Sequence, residues 1–265
     1  MSPSRSSLQV LIERCGLSLT PAQYDQLWTY HQMLRAANAE LNLTRIHNFE
    51  NMVLKHYVDS LLVLTFIDLP TPLIDMGSGP GLPGIPLKIA RPGVSMILAE
   101  PRGARAEFLE TVRDRLKLDD LEIHAGKIGP RYPRKVAGII TRAVASIPET
   151  LDRVAHCLDL GGRMLFMKGP DCHDEIARAR ESHAESFRMV ADHAYQIPGT
   201  EHARRLVIYE RLAGETATSV SVPTYAGPIR DLTSESNPAF RAARDLLSGR
   251  GIRKHGQALI AWPRL

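Results

Sequence analysis

Apolar residues recur at helical spacing through the first part of the chain and then give way to short, wholly apolar runs. Leu8, Leu11, Ile12 and Cys15 share one helical face before Gly16. Thr20 follows as an N-cap with Pro21 at the first helical position. Leu27, Tyr30, His31 and Leu34 continue a stripe with a period of about 3.6. Asn42-Leu43-Thr44 interrupts it, and a further helix is predicted over roughly Asn48–Leu64, carrying Met52, His56, Asp59 and Ser60. Beyond residue 70 the pattern changes. Pro72–Met76, Val94–Ala99, Leu121–His124, Gly138–Arg142 and Arg163–Lys168 read as strands. Between them Gly84–Ala90, Arg105–Arg115, Pro148–Cys157 and Asp174–Glu185 read as helices, the first stopped by Arg91-Pro92. Arg188–Ile197 and Arg204–Glu210 close the series as an antiparallel pair. Strands alternating with helices imply an α/β fold, a doubly wound, mostly parallel sheet with helices on both faces.

Three segments follow from this pattern: an N-terminal helical extension (1–70), the α/β domain (71–212) and a tail (213–265). The tail opens with a linker-like Ala213–Pro223 and continues as a basic helical stretch, Asn237–His255, with Phe240, Ala243, Leu246 and Leu247 on one side.

Composition narrows the class only a little. The 265 residues are 44% hydrophobic and 23% charged, as expected of a globular protein. The net charge of +4 says less than its distribution. From Ile123 to Pro148 there is no acid, while Lys127, Arg131, Arg134, Lys135 and Arg142 all fall there. Such a one-signed stretch suits a polyanion such as nucleic acid, or forms a solvated basic loop. Cys15, Cys157 and Cys172 form no metal-ligand or disulfide spacing, so a reducing cytosol fits and no metal is expected. The N-terminus lacks the apolar core of a signal peptide, and no run approaches the roughly 18 apolar residues of a membrane helix. The expectation is a cytoplasmic protein with no membrane partner.

The most telling chemistry is the loop Gly77-Ser78-Gly79-Pro80-Gly81. Glycines between a first strand and a first helix admit unusual backbone angles and let a ligand come close to the main chain. Glu100 ends the next strand about 20 residues on, where a carboxylate can grip ribose hydroxyls. A dinucleotide fingerprint, GxGxxG, would need its third glycine at position 82, which is Leu82. The loop reads GxGxG instead, which favours S-adenosyl-L-methionine, a ligand without a pyrophosphate to cradle.

The segment Ile74-Asp75-Met76-Gly77-Ser78-Gly79-Pro80-Gly81-Leu82-Pro83-Gly84-Ile85-Pro86-Leu87 closely resembles the first motif of the RsmG family, also called GidB. Further matches occur in order. Asn42-Leu43-Thr44, His56 and Asp59-Ser60 resemble that family's NLT and HxxDS segments, and Arg102–Leu109 resembles its post-acid helix. Thr141-Arg142-Ala143-Val144-Ala145-Ser146 resembles its TRAVAS motif, Lys168-Gly169 its LKG, and Arg204-Arg205-Leu206-Val207 its RHLV. The resemblance covers roughly residues 8–212. It implies a Rossmann-like class I methyltransferase sheet and methylation of guanine N7 in 16S ribosomal RNA, with S-adenosyl-L-methionine as cofactor. The partner it implies is 16S ribosomal RNA or the small ribosomal subunit; the chain itself is expected to be a monomer.

Guanine N7 has a free lone pair and no proton to lose, so proximity, orientation and electrostatics suffice without a general base. By resemblance Gly77 and Leu82 line the cofactor and Arg142 contacts the cofactor or the target nucleotide. Together with the loop and strand-end reading, the expected cofactor residues are Gly77, Gly79, Gly81, Leu82, Glu100, Ile128, Gly129 and Arg142, and the expected catalytic residues Arg142 and Lys168. Residues support Arg142 independently: it ends a strand on the carboxyl edge, where doubly wound folds place ligands. A guanidinium there can bind phosphate, donate to guanine O6 or form an ordinary surface salt bridge. Lys168 ends a strand on the same edge and can reach a phosphate, or snorkel to the surface. His56 and Asp59, three apart on a helix, read first as packing and capping residues.

The chain departs from the family in two places. Lys127-Ile128-Gly129-Pro130 stands where the family has an Ala-Glu or Val-Glu pair, leaving Ile128 to pack on adenine and Gly129 to offer backbone only. Pro101 follows Glu100 where the family often has Asp-Ser. The first departure keeps open a second reading, a non-catalytic RNA-binding or ribosome-assembly protein on a methyltransferase fold. In the tail, Leu232–Pro238, Arg241, Leu246 and Arg250–Gly256 resemble the opening of a SpoU-type ribose methyltransferase. That match fits a longer fusion, a basic RNA-touching appendage or an extension without a role.

Overall fold

The computed structural model describes residues 2–213. The tail beyond them, with its expected basic helix and SpoU-like segment, lies outside the described residues. Helix α1 (Arg5–Arg14) is capped by Ser4, whose side chain accepts the Ser7 N–H. Helix α2 (Pro21–Leu41) opens with a full capping box: Thr20 accepts from Gln23, and the Gln23 side chain returns to the Thr20 N–H. Asn42, in the left-handed region at φ 47°, ends it. The predicted third helix is continuous in sequence but changes winding. Helix α3 (Phe49–Met52) runs into a π turn (Val53–Val58), then α4 (Asp59–Leu62) and a 3-10 turn (Val63–Thr65).

The sheet contains β1 (Leu73–Met76), β2 (Met96–Ala99), β3 (Leu121–His124), β4 (Val136–Arg142), β5 (Leu158–Lys168), β6 (Phe187–Gln196) and β7 (Ala203–Arg211). Helices α5 (Gly84–Ala90), α6 (Gly103–Leu116), α7 (Ile147–Val154) and α8 (His173–Ser182) connect them. The order across the sheet is β3-β2-β1-β4-β5-β7-β6, with β1 to β5 parallel and β7 antiparallel to both β5 and β6. The predicted doubly wound sheet and its closing antiparallel pair are both present. Strand β5 begins at Leu158, earlier than the predicted Arg163, because Leu158 also pairs with β4, at Val136, before a register shift that takes in Gly161-Gly162.

Strand side chains alternate between two apolar clusters. Leu73, Leu98, Ile140, Leu165, Met167 and Leu206 face α1 to α6, while Ile74, Ile97, Ile139, Met164, Phe166 and Val207 face α7 and α8. The first cluster runs without a break from Leu8, Leu27 and Tyr30 into the sheet, so the N-terminal helices complete the core and residues 1–212 form one compact unit. No helix among the described residues is long and apolar enough to cross a membrane.

Candidate functional site

Parallel register aligns the strand ends. Met76 lies beside Ala99 and Thr141, and Arg142 lies beside Met167, so the loops after β1, β2, β4 and β5 share one edge. At its centre Gly77, Gly79 and Gly81 all have positive φ, at 75°, 58° and 105°. Side chains rarely adopt such angles. The Gly77 and Ser78 N–H groups donate to the Ala99 carbonyl at 2.9 and 3.2 Å, tying the loop to the end of β2. Tyr30 of α2 donates its hydroxyl to the Pro80 carbonyl at 2.9 Å, so the helical extension holds the loop from behind. The Leu82 side chain is buried in the core facing α1 to α6; its backbone is what the loop can offer a ligand.

Glu100 is buried, and both its oxygens are engaged. Gly79 donates to Oε2 and Arg102 to Oε1, each at 2.9 Å. An ionised carboxylate has about four acceptor positions, so each oxygen keeps a lone pair for ribose hydroxyls. Ile128 is buried in the same apolar cluster as Ile74, Met76, Ile97 and Ala99. A side chain at Gly129 would meet nothing within 4 Å, so the glycine there faces open space.

Asp75, an acid inside an apolar strand, is the site's least conventional group. It is fully buried; Oδ2 accepts the Gly84 N–H at 2.9 Å and Oδ1 has no partner. Burial pushes its carboxyl up to about 7, against the opposing pull of the Gly84 N–H and the Arg142 charge.

Arg142 and Lys168 both reach this edge, yet on opposite faces of the sheet. Arg142 shares the parity of Ile140 and points toward the N-terminal helices; Lys168 shares that of Phe166 and points toward α8. Arg142 Nη1 donates to the Lys55 carbonyl at 3.2 Å and to Asp59 Oδ2 at 3.4 Å. Asp59 also accepts the Tyr195 hydroxyl on Oδ1 at 2.9 Å and faces Arg204 Nε at 3.6 Å. The phosphate contact expected of Lys168 meets an ammonium already occupied: it pairs with Glu175 at 2.8 Å and donates to the Ala145 carbonyl at 2.7 Å. Glu175 accepts the Ile147 N–H at 2.8 Å, so the pair pins the far end of the loop that follows Arg142. In that loop Ala143 has φ 56°, and the half-exposed Val144 lies against Gly77.

His56 Nε2 and Thr44 Oγ1 are 2.8 Å apart, so the NLT-like and HxxDS-like segments meet. Burial, then the nearby Arg142 charge, lowers the imidazole to about 3 and keeps it neutral. Sequence reasoning missed Asp75, Tyr30 and Tyr195. Asp75 carried a signal, a lone acid in the run Leu73–Met76; the two tyrosines carried none.

A GidB family profile, described as rRNA small subunit methyltransferase G, matches residues 23–206. The chain belongs to the GidB family. Among curated GidB relatives, "Ribosomal RNA small subunit methyltransferase G 2" of Syntrophobacter fumaroxidans is 47% identical over 260 residues, covering 98% of this chain. This chain spans only 52% of that relative's length. A protein of the same name from Bdellovibrio bacteriovorus is 41% identical over 191 residues, covering 72% of this chain and 75% of its own. "Ribosomal RNA small subunit methyltransferase G" of Pseudomonas syringae pv. syringae is 37% identical over 201 residues, covering 75% of this chain and 91% of its own. The GidB match contains every expected site residue, from Gly77 to Lys168.

Proposed function

We propose that this chain is an S-adenosyl-L-methionine-dependent methyltransferase that methylates N7 of a guanine in 16S ribosomal RNA. The observation that carries the reading is the linkage of Gly79 to Glu100 on the edge where Arg142 emerges, in a chain of the GidB family. The residues suit the cofactor. Nothing lies within 4 Å of where a Gly79 side chain would begin, Glu100 keeps a lone pair on each oxygen, and Asp75 Oδ1 is buried without a partner. Gly77, Gly79, Gly81 and Leu82 would hold the cofactor through backbone, Glu100 through hydroxyls, and Ile128 and Gly129 on the adenine side. When bound, S-adenosyl-L-methionine supplies a methyl group on a sulfonium centre.

Arg142 orients the nucleotide by binding a phosphate or donating to guanine O6. Lys168 fixes the loop beside it. No side chain needs to remove a proton, because N7 carries none, and catalysis rests on orientation. We infer a monomer working in the cytoplasm on 16S ribosomal RNA or the small subunit. Mapping N7-methylguanine in 16S ribosomal RNA with and without the gene tests the assignment; an unchanged profile overturns it. The missing carboxylate at Gly129 favours one other reading, a non-catalytic RNA-binding protein. Calorimetric titration with S-adenosyl-L-methionine separates the two, since no measurable binding would leave only the second.

A further inference from the structure

Asp59 is a buried carboxylate shared by groups from three parts of the chain. Its side chain is 2% exposed, against 19% for Arg142 and 27% for Arg204. Arg142 comes from the end of β4, Arg204 from the start of β7, and Tyr195 from the end of β6. One negative charge therefore faces two guanidinium groups, and the cluster keeps a net positive charge at the strand-end edge. The helix carrying Asp59 is shaped for this contact. The Asp59 N–H bonds to the Leu54 and His56 carbonyls and passes over Lys55, whose carbonyl accepts Arg142. The π turn thus presents a carbonyl and a carboxylate to the same Nη1.

We propose that Asp59 is the positioning residue for Arg142, aiming its guanidinium at the target nucleotide and coupling it to Arg204 so that both present positive charge to RNA. This rests on the methyltransferase reading above. An arginine at a strand end has many rotamers, and two of them without a shared counter-ion repel each other. Asp59 removes both problems from a position that does not itself reach the substrate.

The test uses the full chain, with 16S ribosomal RNA or small subunits and labelled S-adenosyl-L-methionine. In D59N the site gains positive charge while Arg142 loses its anchor. The expected result is a kcat lower by about a hundredfold with KM for RNA unchanged or lower. A role in folding alone would not produce that split. The D59N/R142Q double variant should be no slower than R142Q, because the two residues act as one unit. Y195F keeps both ion pairs and should lower kcat by a smaller factor, again without raising KM. If the wild-type chain methylates RNA while D59N and Y195F keep its kcat, this inference is overturned and the methyltransferase reading stands. Additive losses in the double variant, or a kcat loss that only follows the unfolded fraction, overturn it as well. No methylation by the wild-type chain overturns the underlying reading instead.

Discussion

The Gly79 N–H donates to Glu100 Oε2 at 2.9 Å, so the glycine loop and the acid that ends β2 are bonded to each other before any ligand arrives. The same carboxylate takes the Arg102 N–H on its other oxygen, fixing its plane. In E100Q one oxygen becomes an NH2 group, which faces an N–H donor and cannot accept it. Hydrogen bonds to a charged acceptor contribute about 1.5–3 kcal/mol. Titration calorimetry should show S-adenosyl-L-methionine affinity lower by about ten- to a hundredfold, with an unchanged circular dichroism spectrum. An affinity equal to wild type would remove Glu100 from the binding site.

Gly77 and Gly79 should respond differently to alanine, although both have positive φ. A left-handed alanine costs about 1–2 kcal/mol in either place. At Gly77 the added carbon would also stand 2.5 Å from Val144 Cγ2, whereas at Gly79 it meets nothing within 4 Å. G77A should therefore lose more stability in urea unfolding than G79A, and V144A in the G77A background should recover the difference. G79A should instead weaken cofactor binding, since its new carbon enters the open space at the loop. Equal stability losses in both variants would contradict the contact with Val144.

Much of this frame is legible in the sequence, and the reasons are physical. Parallel strands covered on both faces must be apolar throughout, which is why Ile74, Ile97 and Ile139 sit in recognisable runs. Strand β5 begins earlier than its apolar run because Leu158 pairs with Val136 ahead of a register shift that takes in Gly161-Gly162, and no apolar pattern marks such an irregular stretch as strand. The π turn at Val53–Val58 is invisible because the buried residues Val53, Tyr57, Leu61 and Leu54, Val58, Leu62 recur every fourth position, a spacing that an α-helix shows as well. The glycine loop and Glu100 could be named from spacing, but their hydrogen bond could not, since it uses the Gly79 backbone. Arg142 and Lys168 looked equivalent as strand ends. Only strand parity shows that one faces Asp59 and the other Glu175.

Asp75 should make stability fall as pH rises. Burial holds its carboxyl at about 7 in the folded chain, whereas an unfolded aspartate titrates near about 4. Between those values the folded state keeps a proton that the unfolded state has lost. Unfolding free energy therefore declines as pH climbs through this window, by up to about 1.4 kcal/mol per pH unit. D75N has no such titration and keeps an oxygen for the Gly84 N–H. Urea unfolding at pH 5 and pH 7.5 should show D75N gaining stability relative to wild type at the higher value. Parallel profiles for the two proteins would mean that Asp75 ionises normally.

Lys168 should behave as a fastener of the loop and not as a phosphate contact. Its ammonium is neutralised by Glu175 at 2.8 Å and also holds the Ala145 carbonyl, on the face of the sheet opposite Arg142. K168M leaves both groups short of a donor in a half-buried place, at a cost of about 1–3 kcal/mol. The loop from Ala143 to Ser146 then loses one of its ties, and Ala143, strained at φ 56°, can relax. Turnover should fall, because Val144 and the backbone after Arg142 lose their fixed place. RNA affinity offers the decisive contrast. A lysine bound to phosphate contributes about one unit to the slope of log affinity against log salt, and its loss reduces that slope. For K168M the slope should match wild type while kcat and the melting temperature both drop. A slope smaller by about one unit, with melting unchanged, would return Lys168 to the RNA.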